Sequence, residues 1–517
     1  MTLTAVDTFA RQHEEDELPA NARYYRDLIP LARPAEGEQY AFEVDLDACT
    51  GCKSCVVACH SLNGLDDDES WRSVGLLQGG GKIAFQQTVT TACHHCVEPA
   101  CLTGCPVNAY EKDEATGIVS HLDDQCIGCS YCTLTCPYEV PRFNEARGIV
   151  RKCDMCRGRL EVGEAPACVQ SCPSSAIRIT IVDKSAVAAA TSVADAALVP
   201  GAPPSALTAP TTTYRTTRAW PEDVRAADHF SLRPSHPHPP LAAMLVLSQL
   251  AVGAVAVDVG ARALGAPSAS AASHAVMAAS VAVVALVAST LHLGRPRYAF
   301  RAVLGISHSW LSREVVAFAG FGSLAPAYAV GAVKAPTSAM TLAMGGLALL
   351  FGIAGVACSV MLYAVTGRAW WQARRSSVTF AMSGVATGAL ATMATSGVVS
   401  PAAPSGAIGA TVILVMSAKL AREGAVLRHL PVGVGSELQR SALLLRRDLW
   451  GQFQLRCLLG GLGGIAIPAV VLASRDRSIA SATATVAALL LLVGGELLER
   501  HLFFRVAVAP RMPGELR

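Results

Sequence analysis

Sixteen of the eighteen cysteines lie between Cys49 and Cys172, in four groups of four, and nothing else in the chain restricts its fold so tightly. The groups run Cys49-x2-Cys52-x2-Cys55-x3-Cys59, Cys93-x2-Cys96-x4-Cys101-x3-Cys105-Pro, Cys126-x2-Cys129-x2-Cys132-x3-Cys136-Pro and Cys153-x2-Cys156-x11-Cys168-x3-Cys172-Pro. Thiolates are soft ligands suited to iron-sulfur clusters, and a two-residue gap lets one tight turn aim several sulfurs at one cube. Three close cysteines with a fourth ahead of proline is the bacterial [4Fe-4S] run, whose fourth cysteine ligates the other cluster of a pair. Four such runs imply four cubanes in two pairs, an electron wire.

Other uses of cysteine fit less well. A disulfide framework belongs to oxidising compartments and mostly to short secreted chains, whereas this chain has 517 residues and repeats one metal-type spacing. Zinc sites take two cysteine pairs per metal, which the x2-x2-x3-Pro spacing does not resemble. Cys358 and Cys457 fall in apolar runs outside the groups and read as small buried hydrophobes.

The remainder of the chain is of another kind. With 52% hydrophobic and 16% charged residues the composition is too apolar for a purely soluble protein, and the excess lies in the second half. Apolar runs of about 20 residues, enough to cross a bilayer, are expected at 241–261, 272–293, 313–333, 339–363, 378–399, 402–420, 455–473 and 479–498. Between the halves, residues 184–239 are rich in Ala, Pro, Thr and Ser, which argues for an extended arm; its His229, His236 and His238, spaced through prolines, read as loop residues rather than a metal site. Residues 1–40 are a polar, acidic extension without a signal-type apolar stretch or twin arginine. Gly460 and Gly464 form a small-xxx-small pair for helix packing, the acidic run Asp66 to Glu69 reads as a solvated loop, and Gly79 to Gly81 as a flexible turn without the Lys-Ser/Thr of a phosphate loop.

Charge sets the expected topology. If eight helices start from the cysteine-rich side, eighteen basic residues return to that side, namely Arg295, Arg297, Arg301, Arg313, Arg368, Arg374, Arg375, Lys419, Arg422, Arg428, Arg440, Arg446, Arg447, Arg456, Arg500, Arg505, Arg511 and Arg517. Only Arg262, Lys334, Arg475 and Arg477 lie opposite. The positive-inside rule then puts the cysteine groups at the cytoplasmic face of a bacterial inner membrane.

The four cysteine groups, with the x4 gap in the second and the x11 gap in the fourth, resemble the iron-sulfur subunit of dimethyl sulfoxide reductase and related molybdopterin oxidoreductases. The second half resembles the anchor subunit of the same enzymes, through His292-Leu-Gly-Arg-Pro296, Ser309-Trp-Leu-Ser-Arg-Glu314 and Gly495-Glu-Leu-Leu-Glu-Arg-His-Leu-Phe-Phe504. The resemblance covers about residues 41–183 and 240–510, and joins in one chain two subunits that are usually separate. It implies an α+β ferredoxin-like tetra-cluster domain over 41–183, followed by an all-α eight-helix transmembrane bundle over 240–510. It also implies nested ligation: Cys49, Cys52 and Cys55 with Cys172; Cys153, Cys156 and Cys168 with Cys59; Cys93, Cys96 and Cys101 with Cys136; Cys126, Cys129 and Cys132 with Cys105. Relatives that replace a third-group cysteine hold a three-iron cluster; this chain keeps all four.

Oxidising a quinol separates two electrons from two protons, so a titratable pair at the membrane edge is required. His292 and Glu314 match the family's quinol site, and ionisable residues at such depth are expensive unless they have work or a partner. Histidine titrates near neutral pH, and desolvation raises a carboxylate's pKa. A snorkelling histidine and a helix-start glutamate are the plainer alternative. Arg295 and Arg313 are candidates to steer a quinone oxygen, though charge asymmetry explains them equally. The expected role is an electron-transfer and anchor subunit that oxidises menaquinol or ubiquinol from the membrane quinone pool. It passes electrons to a separate molybdopterin-containing catalytic subunit, with lipid as its setting and no nucleic-acid partner. The same machinery run backwards, as in a sulfite or formate dehydrogenase, and a stand-alone ferredoxin-quinone adaptor are the alternatives.

Overall fold

The computed structural model describes residues 25–67, 69–80, 84–265, 270–399, 406–430, 436–474 and 478–514. Asp68, Gly81, Arg475, Arg477, Arg517 and the first 24 residues of the polar extension lie outside the described residues. The chain forms two compact units, residues 1–231 with 509–517, and residues 232–508.

The first unit is built from short strands and turns around the cysteine groups. Strand β1 (Glu38–Asp45) is the centre of a three-stranded sheet and is buried along nearly its whole length. It pairs antiparallel with β8 (Ile177–Asp183), in the register Tyr40 to Ile181 and Phe42 to Ile179, and parallel with β9 (Thr213–Arg215). The hairpin β2 (Ser73–Gly79) and β3 (Phe85–Thr91) takes β10 (Arg225–Ala226) on its free edge. Two smaller hairpins, β4 (Tyr110–Lys112) with β5 (Val119–His121) and β6 (Arg142–Asn144) with β7 (Ile149–Arg151), follow the second and third cysteine groups. Five short helices carry the cysteines: α1 (Ser54–Leu62), α2 (Ala100–Gly104), α3 (Tyr131–Thr135), α4 (Arg157–Glu161) and α5 (Ala167–Gln170). Tyr40, Phe42, Val44, Leu77, Val89 and Ile177 form a core continuous with Cys55, Cys93, Cys96, Cys153 and Cys168.

The stretch 184–239 departs from the extended arm expected of it. It opens with α6 (Lys184–Thr191), capped by the Asp183 carboxylate, and supplies β9 and β10 to the two larger sheets. Thr213 to Arg215 is β-favouring sequence beside an open edge of β1, and unpaired edge groups recruit such a strand. The acidic run also turns partly inward. Glu69 is 5% exposed, pairs with Arg151 at 2.9 Å and accepts from the Trp71 indole at 2.7 Å, while Asn144 donates to Asp66 at 2.5 Å.

The second unit is a helical bundle: α7 (Pro239–Ala263), α8 (Ala271–Thr290), α9 (Trp310–Lys334), α10 (Ala339–Ala364), α11 (Ala373–Val399), α12 (Gly406–Gly424), α13 (Glu437–Arg447), α14 (Trp450–Ser474) and α15 (Ile479–Arg505). Seven of the described helices are long and apolar enough to cross a membrane, all but α12 and α13. The expected sixth span corresponds to α12, whose 19 residues end in Lys419, Arg422 and Glu423, so the predicted eight becomes seven by length and hydropathy. Several helices outrun the apolar windows read from sequence, because α11 begins with Arg374 and Arg375 and α15 continues through Glu496, Glu499 and Arg500. Helix α7 packs against α8, α10 and α11, and α11 bridges to α12 and α15. At the α7–α11 crossing, a Cβ on Gly253 would strike the Gly384 carbonyl, so bare backbone is required there. Gly464 accommodates Met416 of α12 and Gly460 leaves room for the Arg456 guanidinium, which bears out their reading as packing residues. Cys358 and Cys457 are half-buried rather than fully buried.

Candidate redox and quinone site

The cysteine groups share one local construction. The residue before the second cysteine has positive φ in all four, at Gly51 (72°), His95 (40°), Gly128 (69°) and Met155 (60°). Each turn thereby reverses the chain within two residues, and backbone amides point at sulfur: Gly128 to Cys126 at 3.4 Å and Met155 to Cys153 at 3.4 Å. Further on, Ala109 donates to Cys105 at 3.2 Å and Ala176 to Cys172 at 3.3 Å.

Packing brings the groups together in two pairs. Helices α2 and α3 meet, with Gly104 against Thr135, and one cavity is lined by Cys93, Cys96, Cys101 and Cys136 together with His95 and Lys152. Cys105 has Cys126 as its thiol neighbour. On the other side α1 meets α5, and the Asn63 amide lies 3.7 Å from Cys59 and 3.9 Å from Cys156. All eighteen thiols are free. Burial, reinforced by Cys168, pushes the Cys59 thiol up to about 12, and burial pushes Cys136 to about 11. Buried thiols of this kind become thiolates only when a cation compensates them.

Fixed positive charge is built beside these sulfurs. Lys152, 3% exposed, donates to the carbonyls of Val119 and Cys153 and lies 3.7 Å from the Cys93 sulfur. Arg72, 2% exposed, sits among Cys55, Cys59, Cys153 and Cys168, with one terminal nitrogen lacking a protein acceptor. Thiolate-bound clusters are anionic, so buried donors and cations fit such a group. Sequence reasoning passed over both residues, although Lys152 immediately precedes Cys153.

The membrane unit holds the proposed proton-handling residues at separate points. His292 follows α8 and is mostly buried; burial lowers its pKa. Its electrostatic neighbour is His238, the residue preceding α7, with Arg368 beside it. Burial first, then His236, His292 and Arg368, push His238 down to about 4. The His238 ring lies 4.7 Å from His236 and 5.5 Å from Phe504. Histidines read from sequence as loop residues are thus part of this cluster, and the proline-flanked spacing gave no sign of it. Glu314 is 4% exposed on α9 and accepts the Ser359 hydroxyl of α10. Among the described residues no hydrogen bond joins His292 to Glu314. Arg313 donates to the carbonyls of Ile306 (3.1 Å) and Ser307 (2.6 Å) and stacks 4.6 Å over Trp310, holding the loop ahead of α9. Arg295 is half-buried and begins the short helical turn Pro296–Val303.

Two polar clusters inside the bundle were invisible as apolar spans. Asp258 pairs with Arg262 at 3.3 Å, accepts the Tyr328 hydroxyl and faces His274 at 3.8 Å. A larger network joins Lys419 to Glu496 (2.5 Å), Glu496 to Arg456 (2.8 Å), Arg456 to both oxygens of Glu423, and Arg500 to Glu499, Ser383 and Gln249.

Comparison with known families bears on both units. The model for the DMSO reductase anchor subunit (DmsC) matches residues 235–506, more than half of the chain. The chain belongs to the dimethyl sulfoxide reductase anchor-subunit family. A 4Fe-4S dicluster domain model matches residues 84–181. The first unit is 38% identical over 155 residues to the B subunit of anaerobic dimethyl sulfoxide reductase of Escherichia coli (strain K12), covering 28% of this chain and 75% of that protein. The counterpart in Haemophilus influenzae is 35% identical over 157 residues, covering 28% and 76%. The formate dehydrogenase iron-sulfur subunit of Haemophilus influenzae is 35% identical over 170 residues, 29% of this chain and 54% of that one. This member of the family therefore carries an iron-sulfur electron-transfer unit, with 4Fe-4S clusters, and a multi-pass membrane anchor in one chain.

Proposed function

We propose that the chain oxidises quinol at the membrane edge and delivers the electrons to a separate molybdopterin-containing catalytic subunit. The observation that carries this reading is the His292 cluster at one end of the bundle, with a buried carboxylate, Glu314, on the next long helix. Burial keeps the His292 and His238 imidazoles neutral, with lone pairs available to a quinol hydroxyl. Glu314, held by the Ser359 hydroxyl, is the second proton acceptor. Arg295 steers the quinone oxygen, and Arg313 acts by shaping the loop that precedes Glu314. The sixteen cysteines hold four [4Fe-4S] clusters in the nested pattern, Cys49, Cys52, Cys55 and Cys172; Cys59, Cys153, Cys156 and Cys168; Cys93, Cys96, Cys101 and Cys136; Cys105, Cys126, Cys129 and Cys132. When bound, they supply one-electron centres between the quinol and the catalytic subunit. The anchor lies in a bacterial inner membrane with the cluster unit at the cytoplasmic face, a reading supported by the arginine asymmetry.

The name of the curated relatives suggests a sulfoxide as terminal acceptor; nitrate and sulfur oxyanions use the same type of electron supply. Similarity to formate dehydrogenase subunits supports a second reading, in which electrons flow toward quinone. Purification from the native host with metal analysis tests the partner: molybdenum or tungsten with a large copurifying subunit is expected, and its absence would leave the stand-alone adaptor. Turnover with quinol against turnover with a soluble dye donor tests the site. His292→Ala should lose the first and keep the second; normal quinol turnover in both His292→Ala and Glu314→Gln would remove these residues from the mechanism.

A further inference from the structure

A cleft on the second unit, away from the His292 cluster in its lining residues, carries an unassigned arrangement. Its walls come from the start of α11, the end of α12, α13, the start of α14 and the end of α15, all at the terminal turns of these helices. The carboxylates that reach it are already matched. Glu423 is bound through both oxygens by Arg456, at 3.0 and 3.1 Å, and Glu499 by Arg500 with Lys419 at 3.8 Å. Two further cations at the cleft are not matched. Arg375 stacks 3.8 Å over the Trp370 ring, and Arg422 donates to the Arg375 carbonyl at 3.0 Å. Among the described residues neither guanidinium lies within ion-pair distance of a carboxylate, and the two face the same space. Like charges left adjacent and unpaired are costly unless an anion joins them.

A second observation points the same way. The Ser376 hydroxyl lines this cleft, is 1% exposed and has no hydrogen-bond partner. It lies in the first turn of the 27-residue α11, where free backbone amides and the helix dipole add positive potential. The remaining wall is apolar, including Leu445, Phe453, Leu502 and Val506. Beside it α13 buries Leu444 and Leu445 and exposes Arg446 and Arg447, the pattern of a helix lying at a lipid interface.

We infer that this cleft binds the phosphate of an anionic phospholipid headgroup, with Arg375, Arg422 and Ser376 as donors and the apolar wall against the glycerol and upper acyl chain. Guanidinium pairs suit phosphate through two parallel N–H bonds each, and anionic lipid is the phosphate source at the level of helix ends. The site would fasten α11, α12 and α15 to one lipid and so brace the end of the bundle.

The test uses the full chain in its native complex, exchanged into nanodiscs of phosphatidylcholine with or without phosphatidylglycerol. Lipid retained after delipidation is quantified by mass spectrometry, and the thermal midpoint is followed in parallel. Wild type should retain phosphatidylglycerol about tenfold over phosphatidylcholine and gain thermal stability from it, as expected for charge-assisted bonds to phosphate. R375Q/R422Q should lose both effects. Should that variant fail to fold, S376A carries the test, with selectivity reduced severalfold. Equal retention of the two lipids by wild type, or undiminished selectivity in the variants, overturns the proposal. Stabilisation by inorganic phosphate equal to that by phosphatidylglycerol overturns the lipid assignment, as does retention of quinone in place of phospholipid.

Discussion

Met155 and His95 adopt the left-handed backbone that Gly51 and Gly128 adopt at the matching place in their turns. For a residue with a Cβ that conformation costs about 1–2 kcal/mol, and the cost is borne because the turn has to present sulfur. Gly128→Val should therefore reduce iron incorporation at the second and third groups while Cys153-centred turns keep theirs, measured as iron per chain after anaerobic purification. Lys152 puts a positive charge 3.7 Å from the Cys93 sulfur. Lys152→Met should lower the reduction potential of the neighbouring centre by tens of millivolts in an EPR-monitored titration, because a cation favours the extra electron; an unchanged potential would remove Lys152 from that role. His238 has its folded pKa depressed to about 4, against about 6.5 in the unfolded chain. Between those values the unfolded state binds more protons, so stability is whole above pH 6.5 and declines as pH falls toward 4. His238→Asn should flatten that acid limb in thermal scans from pH 7 to pH 4; a limb of unchanged slope assigns it to other groups.

At the scale of elements, helices that would be read as uniformly apolar are held by a charge network. Lys419, Arg456 and Arg500 face Glu423, Glu496 and Glu499 across α12, α14 and α15, so six ionised groups balance away from water. Removing one partner strands the others, at about 3–5 kcal/mol for a buried pair. Glu496→Ala, which leaves Lys419 and Arg456 short of a carboxylate, should lower the midpoint in detergent well below that of Arg447→Ala, whose pair with Asp448 is exposed. Equal midpoints would mean that water enters the network. The segment 184–231 teaches a related lesson from the first unit. Its Pro and Thr content signals irregular chain, yet Thr213 to Arg215 and Arg225 to Ala226 are recruited by sheet edges that only exist once β1 and β2 are in place.

For the whole molecule, the two units make separate demands that one assay each can check. Four cubanes require about sixteen iron and sixteen labile sulfide per chain; iron near half that value, or an intense three-iron EPR signal, contradicts the full set. Protease added to intact spheroplasts should leave the first unit intact until lysis if it lies at the cytoplasmic face, whereas cleavage from outside would reverse the topology read from the arginines. Residues 509–514 belong to the first unit, with Gly514 donating to Asp228 and its carbonyl accepting from Leu76, so the polypeptide closes on its own cluster unit after the last helix.

In the order of residues alone, the cysteine spacing carried the redox chemistry and the apolar periodicity carried the membrane unit, because both are local. A ligand run needs only a turn, and a span needs only a helix long enough for the bilayer. The sixteen cysteines, His292 and Glu314 were nameable on those grounds together with family resemblance. Which cations sit beside the sulfurs, that His238 joins His292, that Arg313 serves a loop, and that α11 to α15 share six buried charges depend on residues tens to hundreds of positions apart. Such encounters are decided by how strands and helices pack, since electrostatic worth depends on distance and burial, and neither is written in the linear succession of side chains.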